Sequence, residues 1–209
     1  MNRLYKLFSL TLLAFFINTL TGCASSGPNA MMDYAPVNQL KADSNYATIT
    51  FVKNSLMPSF FGTPVGIYKK DKDSVDYVGH IDNGTRVSIK LKPGHHEFVL
   101  LGEIDNIVLA DVKANLNYFV DIRRGISFLA ETFHGVALNT EDLSDVGVQG
   151  NIRRADNAII SKEGKAWFET KRAEFTRRYK NARKSFNVDG IIDKYAIVHA
   201  NYGIEYSFY

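Results

Sequence analysis

The chain has 209 residues, of which 45% are hydrophobic and 22% charged, with a formal net charge of +3. These values are ordinary for a globular protein, and the sequence contains no internal repeat and no low-complexity tract. Its single cysteine, Cys23, excludes a disulfide framework within the chain.

The N-terminal stretch has the order of an export signal. Arg3 and Lys6 form a short positive region, and Leu7 to Leu20 is apolar except for Ser9, Thr11, Asn18 and Thr19. That run is too short and too interrupted to span a bilayer, which takes roughly 20 predominantly apolar residues. The small pair Thr21-Gly22 then precedes Cys23, with Leu20 three positions upstream. This arrangement resembles the bacterial lipoprotein signal, in which the cysteine sulfur receives a diacylglyceryl group and the chain is cut just before it. The competing readings are a plain secretory signal with a chance cysteine, or an uncleaved anchor. The resemblance implies a signal peptide over 1–22 and a lipidated Cys23 as first residue of the mature protein. More than one acyl chain makes such attachment durable, at roughly 0.8 kcal/mol per buried methylene. With Cys23 acylated no free thiol is left, which excludes cysteine catalysis and cysteine-ligated metal sites. Arg3 and Lys6 leave with the signal, so the net charge falls from +3 to +1. Ala24-Ser25, in place of an Asp after the cysteine, points to the outer membrane on its periplasmic face.

Residues 23–43 have little periodicity and include Ser25-Ser26-Gly27-Pro28-Asn29 and Pro36, as a tether does. Met31, Met32, Tyr34 and Val37 are apolar enough to dock on the folded part. From Tyr46 to Val52 the β-branched and aromatic content predicts a first strand. Asn54 to Pro64 reads as a loop whose Leu56, Met57, Phe60 and Phe61 either tuck into the core or form a contact surface. Val65–Tyr68 and Val75–Ile81 read as strands around a charged turn, Lys69 to Ser74. Asp82-Asn83-Gly84 predicts a hairpin turn, because Asn and Gly accept positive φ. Val87, Ile89 and Leu91 alternate with Ser88 and Lys90, so one face of that strand is buried. Pro93-Gly94 turns the chain, and Phe98 to Leu101 begins the return strand. Ile107–Val112 and Tyr118–Ile122 follow as strands around Asn115-Leu116-Asn117, and Gly125–Thr132 is expected to add one more. Short strands with turn signals at this spacing suggest a β-sandwich over 44–139.

Tyr77-Val-Gly79, Asn83-Gly84-Thr85, Lys92-Pro93-Gly94-His95-His96-Glu97-Phe98 and Asn117-Tyr118-Phe119-Val120 form a succession. It resembles the bacterial lipoprotein domain of unknown function 2846, itself similar to PEGA-type β-sandwich modules. The resemblance covers roughly 44–125 and departs at Ala114-Asn115-Leu116-Asn117, where the pattern has a Gly-centred turn. It implies a sandwich fold and an envelope location, with no established activity attached.

Thr140 to Gly150 is polar and acidic and reads as a loop. From about Ile152 the period becomes helical. Trp167, Phe168, Phe175, Tyr179, Ala182 and Phe186 form one apolar stripe. Lys162 to Lys184 carries nine Lys/Arg against three Glu, a net of +6. Asn187 and Gly190 stop the helix. Ile191–Val198 and Tyr202–Tyr209 read as closing strands. The fold expected is thus mainly β, with one C-terminal amphipathic helix, α+β overall. Residues 140–209 make an acidic loop, the basic helix and the closing strands.

Two constellations compete for function. His95 and His96, with His80, Asp82 and Asp105 as further donors, have the chemistry of a metal site. Adjacent strand residues point to opposite faces, however, and no metal-ligand spacing template is met. One histidine packed at the turn and the other solvated is the preferred reading. No nucleophile elbow, triad context, phosphate-cradling Gly loop or dinucleotide fingerprint occurs. The basic helix, through Arg172, Arg177, Arg178 and Lys180, has the character of a surface for anionic lipid, lipopolysaccharide phosphates or an acidic envelope protein. Its bland alternative, preferred for the apolar stripe, is a helix docked on the sandwich with solvated charges. The sequence therefore predicts a lipid-anchored, non-catalytic lipoprotein of the bacterial cell envelope that contacts another envelope component. No cofactor, metal or nucleic-acid partner is implied. The alternative is a periplasmic metal-dependent or hydrolytic enzyme using the histidines of the Pro-Gly-His-His turn.

Overall fold

The computed structural model describes residues 31–35, 44–53, 64–126, 131–188 and 196–205. The expectations for Cys23 and its signal, the Leu56–Phe61 loop, residues 191–195 and Tyr206 to Tyr209 lie outside these. The described strands are β1 (Met32–Ala35), β2 (Ala47–Lys53), β3 (Val65–Asp71), β4 (Ser74–Ile81), β5 (Thr85–Leu91), β6 (Gly94–Leu101), β7 (Asn106–Val112), β8 (Asn117–Ile126), β9 (Glu131–Leu138), β10 (Asp156–Ile160) and β11 (Ile197–Val198). The helices are α1 (Val146–Arg154) and α2 (Lys162–Val188). None of them is long and apolar enough to cross a membrane.

The strands form a six-stranded sheet in the order β1-β10-β5-β2-β8-β9 and a five-stranded sheet in the order β11-β7-β6-β3-β4. Alternation along each strand decides what faces inward. Phe51, Tyr118 and Val120 of the first sheet and Ile67, Phe98, Leu100 and Val108 of the second belong to one buried core. Phe51 and Phe98 meet edge to face at 5.0 Å across the two sheets. Gly135 is required there: a Cβ would sit 2.5 Å from Val108 Cγ2. The fold is β-rich α+β, with two helices among the described residues instead of the single helix the sequence predicts.

The turns do other work than the sequence suggests. Asp82-Asn83-Gly84 closes no hairpin, because β4 and β5 lie in different sheets. Gly84 takes φ +78°, and its N–H binds the Lys53 carbonyl at 2.7 Å, so the turn carries the chain between layers. Pro93-Gly94 and Asn115-Leu116 make the same kind of crossing. At the latter, Asn115 adopts φ +62°, supplying the left-handed residue for which a glycine is the usual choice. Gly125 faces Thr132 across the β8–β9 pair. The strand expected over Gly125–Thr132 is thus the meeting end of two strands.

Three further expectations are corrected. Met32–Ala35, placed in the tether, pairs antiparallel with β10. Thr140–Gly150 is not a loop. Asp142–Ser144 form a 3-10 turn, and α1 begins at Val146 with the Asp145 carboxylate accepting the Val148 N–H at 2.9 Å. That Asx cap explains why an acidic, polar stretch starts a helix. The helical period read from Ile152 is interrupted by β10, which leaves two helices where the sequence suggests one. At the C-terminus Tyr202 lies in a turn, and Ile204 makes only an isolated bridge to Asn117.

Both sheets are covered on their outer faces. α1 and the 3-10 turn cover β2, β8 and β9 through Val52, Phe119, Leu138, Leu143 and Ile152. α2 covers the five-stranded sheet.

Candidate functional site

α2 begins where Ser161 accepts the Gly164 N–H on its side chain at 2.8 Å. Gly164 is needed at this point. A Cβ would lie 2.2 Å from the Met31 carbonyl oxygen, which the Ser161 N–H also binds at 3.0 Å. The N-terminal strand and the first turn of α2 are therefore locked together.

The apolar stripe lies on the sheet from Trp167 to Ala182. Phe168 stacks on Tyr77 at 5.5 Å, and Phe175 packs on Tyr68 at 4.7 Å. A β-bulge arranges this face. Tyr77 pairs with Tyr68 and Gly79 with Ile67, so Val78 has no partner opposite. The extra residue turns Tyr77 and His80 to the same side, where the Tyr77 hydroxyl hydrogen-bonds His80 Nδ1. Burial pushes the His80 imidazole down to about 4 and the Tyr77 phenol above its ordinary range. The ring is neutral and enclosed by Tyr68, Tyr77 and Trp167.

Arginines fix the helix to the sheet. Arg172 donates to the Val75 carbonyl at 2.8 Å, to Asp76 at 3.0 Å and to both oxygens of Glu169 at 3.0 and 2.7 Å. Its guanidinium also lies 4.5 Å from the centre of the Phe168 ring. Arg178 grips Asp105 with two hydrogen bonds and caps the Gly102 carbonyl. Arg183 Nε stands 3.1 Å from Glu97. Burial, then a hydrogen bond to Glu97, pushes the Tyr179 phenol up to about 12.

Other cations of α2 are left over from docking. Lys180 and Lys184 are exposed and face the tip of the β3–β4 hairpin, where Lys70 and Lys72 stand. Together with Arg183 and Tyr179 they line an open cleft of about 360 Å³. Lys70 and Lys72 also border a second hollow of about 750 Å³, lined by His95, His96, Leu109, Asp111 and Ile197. The hairpin tip is thus a shared wall between two adjoining spaces. Lys70, Lys72, Lys180 and Lys184 make no ion pair among the described residues. Lys72 holds φ +49°, an arrangement that costs an L-residue about 1–2 kcal/mol.

The sequence-predicted site residues therefore separate into groups. His95, His96 and Lys180 come together around Lys70 and Lys72. Arg172 and Arg178 are spent on the sheet. Arg177 is exposed on the helix but outside the cleft lining. His80 pairs with Gly66 at the far end of β3, about 16 Å along the strand from Asp71. His95 is exposed, with Nδ1 3.5 Å from Asp111, and His96 Nε2 meets the Lys92 carbonyl at 2.8 Å. Asp105 is occupied by Arg178. Among the described residues no three His, Asp or Glu side chains converge as metal ligands. Sequence reasoning missed Lys70, Lys72 and Lys184. The visible signal was the Lys70-Asp71-Lys72 tip and the Lys180, Arg183, Lys184 spacing, which puts three cations on one helical face.

No protein-family model matches the chain, and no curated protein matches it in sequence.

Proposed function

We propose that this protein is a lipid-anchored, non-catalytic binding module of the bacterial cell envelope, held through Cys23 at the periplasmic face of the outer membrane. Its contact surface is the basic cleft between the β3–β4 hairpin and the C-terminal half of α2. One observation carries the choice of surface: the sorting of the helix cations. Arg172, Arg178 and Arg183 are paired with Asp76, Asp105 and Glu97. Lys180 and Lys184 are left to join Lys70 and Lys72 around one open space. Unpaired cations at a concave surface attract anionic partners at long range. The resemblance of Leu20-Thr21-Gly22-Cys23 to a lipoprotein signal and the motif resemblance to a lipoprotein domain support this location.

In-cell cross-linking with mass spectrometry tests this reading. An envelope component captured by the wild type is expected to be lost in Lys180→Glu/Lys184→Glu. The protein itself is expected to leave the membrane fraction in Cys23→Ser. Arg178 must not be reversed in such a test, because its pair with Asp105 holds the helix. Capture unchanged by the double reversal would reject this surface, and membrane association unchanged in Cys23→Ser would reject the anchor.

A further inference from the structure

We propose that the cleft formed by Lys70, Lys72, Lys180 and Lys184 is a binding site for phosphate groups, with the adjoining hollow taking the body to which the phosphate is attached. The inference rests on the anionic-partner reading above and commits it to one ligand chemistry.

The argument starts from how this chain uses its two kinds of cation. Among the described residues three carboxylates outside α2 pair with it, Asp76 and Glu97 on strands and Asp105 in the β6–β7 connection, and each is met by arginine. The planar fork of a guanidinium suits a planar carboxylate. The cleft is instead walled mainly by lysines, from two elements that approach each other across it. An ammonium is a compact point charge whose three donors rotate freely. Several of them, converging from different directions, can meet the oxygens of a tetrahedral phosphate, which carries about −1.5 to −2 charges as a monoester. Among the described residues Asp73 is the one acidic side chain lining this space, and Glu97, in the neighbouring hollow, is already paired with Arg183.

The second hollow has a different character. Leu109, Ala110 and Ile197 give it an apolar floor, while His95, His96 and Asp111 offer polar groups around it. Both volumes fall in or near the usual range for ligand sites, roughly 300–1,000 Å³. A ligand with a phosphate and a neutral, partly apolar body fits the pair better than a bare anion. That description covers a phospholipid headgroup and a free phosphorylated compound alike.

Lysine footprinting by acylation and mass spectrometry, on the full chain in neutral detergent, tests the site. The probes are pyrophosphate, glycerol 3-phosphate, micelles doped with phosphatidylglycerol and, as a carboxylate polyanion, citrate. Lys70, Lys72, Lys180 and Lys184 are expected to react about tenfold more slowly with a phosphate probe at ten times its Kd. Lys165, exposed about 22 Å away along the same helix, is expected to keep its rate. In Lys180→Glu/Lys184→Glu the protection of Lys70 and Lys72 is expected to vanish while thermal unfolding stays unchanged. Protection by phosphatidylglycerol and glycerol 3-phosphate together assigns the ligand to headgroups. Protection by the soluble probes alone assigns it to free phosphorylated compounds. Equal protection by citrate, or protection that includes Lys165, overturns the proposal in favour of general charge attraction. So does no protection by any phosphate probe. If the cells then still yield a protein cross-linked through Lys180, the binding-module reading stands while the phosphate site falls.

Discussion

The two helices cover two sheet faces in opposite ways. α1 has nine residues and brings one buried helical residue, Ile152, to a face of mainly aliphatic side chains that holds a single ring, Phe119. The polar link comes up from the sheet. Arg86 of β5 is buried, and its Nη1 donates to the Ile152 carbonyl at 2.7 Å, near the helix C-terminus, where a cation is favoured. α2 has 27 residues and seals its face with aromatic rings. Here the polar links reach down from the helix, as Arg172, Arg178 and Arg183 meet sheet groups. On α1 the last-turn arginines Arg153 and Arg154 bond within the helix, to Gln149, Gly150 and Asn151. On α2 Lys180 and Lys184 make no such bond among the described residues and face a cleft. A helix that closes a face needs only its buried stripe. Cations beyond that need are where binding should be sought.

The comparison is broken most directly by removing a ring from the α2 side. Phe168→Ala or Phe175→Ala is expected to cost about 3–5 kcal/mol, against about 2–5 for Ile152→Ala under α1. Urea unfolding of the three variants measures it. Equal losses would mean that the aromatic face carries no more of the stability than the aliphatic one.

The next effect is a pH dependence confined to the α2 side. His80 is held at about 4, below its ordinary value near 6.5. Above pH 6.5 neither state is protonated, and the stability is complete. As pH falls from 6.5 to 4 the unfolded chain takes a proton that the folded ring refuses, so stability is lost across that window and then levels. At about 1.4 kcal/mol per pKa unit the loss is of order 3 kcal/mol. His80→Gln should flatten this part of the curve of urea midpoint against pH. A His80→Gln curve parallel to wild type would refute it.

Arg178→Met comes next. It leaves the Asp105 carboxylate half-enclosed without its partner, a loss of about 1.5–3 kcal/mol for hydrogen bonds to a charged group. Lys180→Met on the same helix should cost less than about 0.5 kcal/mol. Similar losses in both would erase the division between docking and cleft cations. The smallest effect belongs to α1: Asp145→Ala removes the cap on Val148 and is expected to cost about 1 kcal/mol in thermal unfolding.

Much of the β structure was legible because period-2 alternation and turn residues act locally. Val87, Leu91 and the Asn83-Gly84 turn show this: the strand and the turn were readable, and which sheet each strand joined was not. Pairing depends on contacts far apart in sequence, such as Ile49 with both Ile89 and Tyr118. β10 was hidden because Asp156-Asn157 carries poor strand propensity and lies between two helical patterns. Its place between β1 and β5 supplies what its sequence does not. The apolar stripe of α2 was plain from spacing. Which of its cations would be consumed was not, because the carboxylates that consume them, Asp76, Glu97 and Asp105, sit on other elements. The bulge at Val78, which turns His80 toward the helix, left no mark that single-sequence reading detects.

The place of β1 also has a consequence for the order of assembly. Met32 faces Ile160, and among the described strands β10 is the only neighbour of β1 in its sheet. The earliest described strand therefore has nothing to pair with until the chain beyond residue 160 is present. β2, likewise, pairs with β5 and β8. Contacts this far apart raise the loop-closure entropy that must be met before they form, which slows folding. A chain delivered from its N-terminus would keep Met31 to Ala35 unpaired through most of its emergence and seat them only once β10 has appeared.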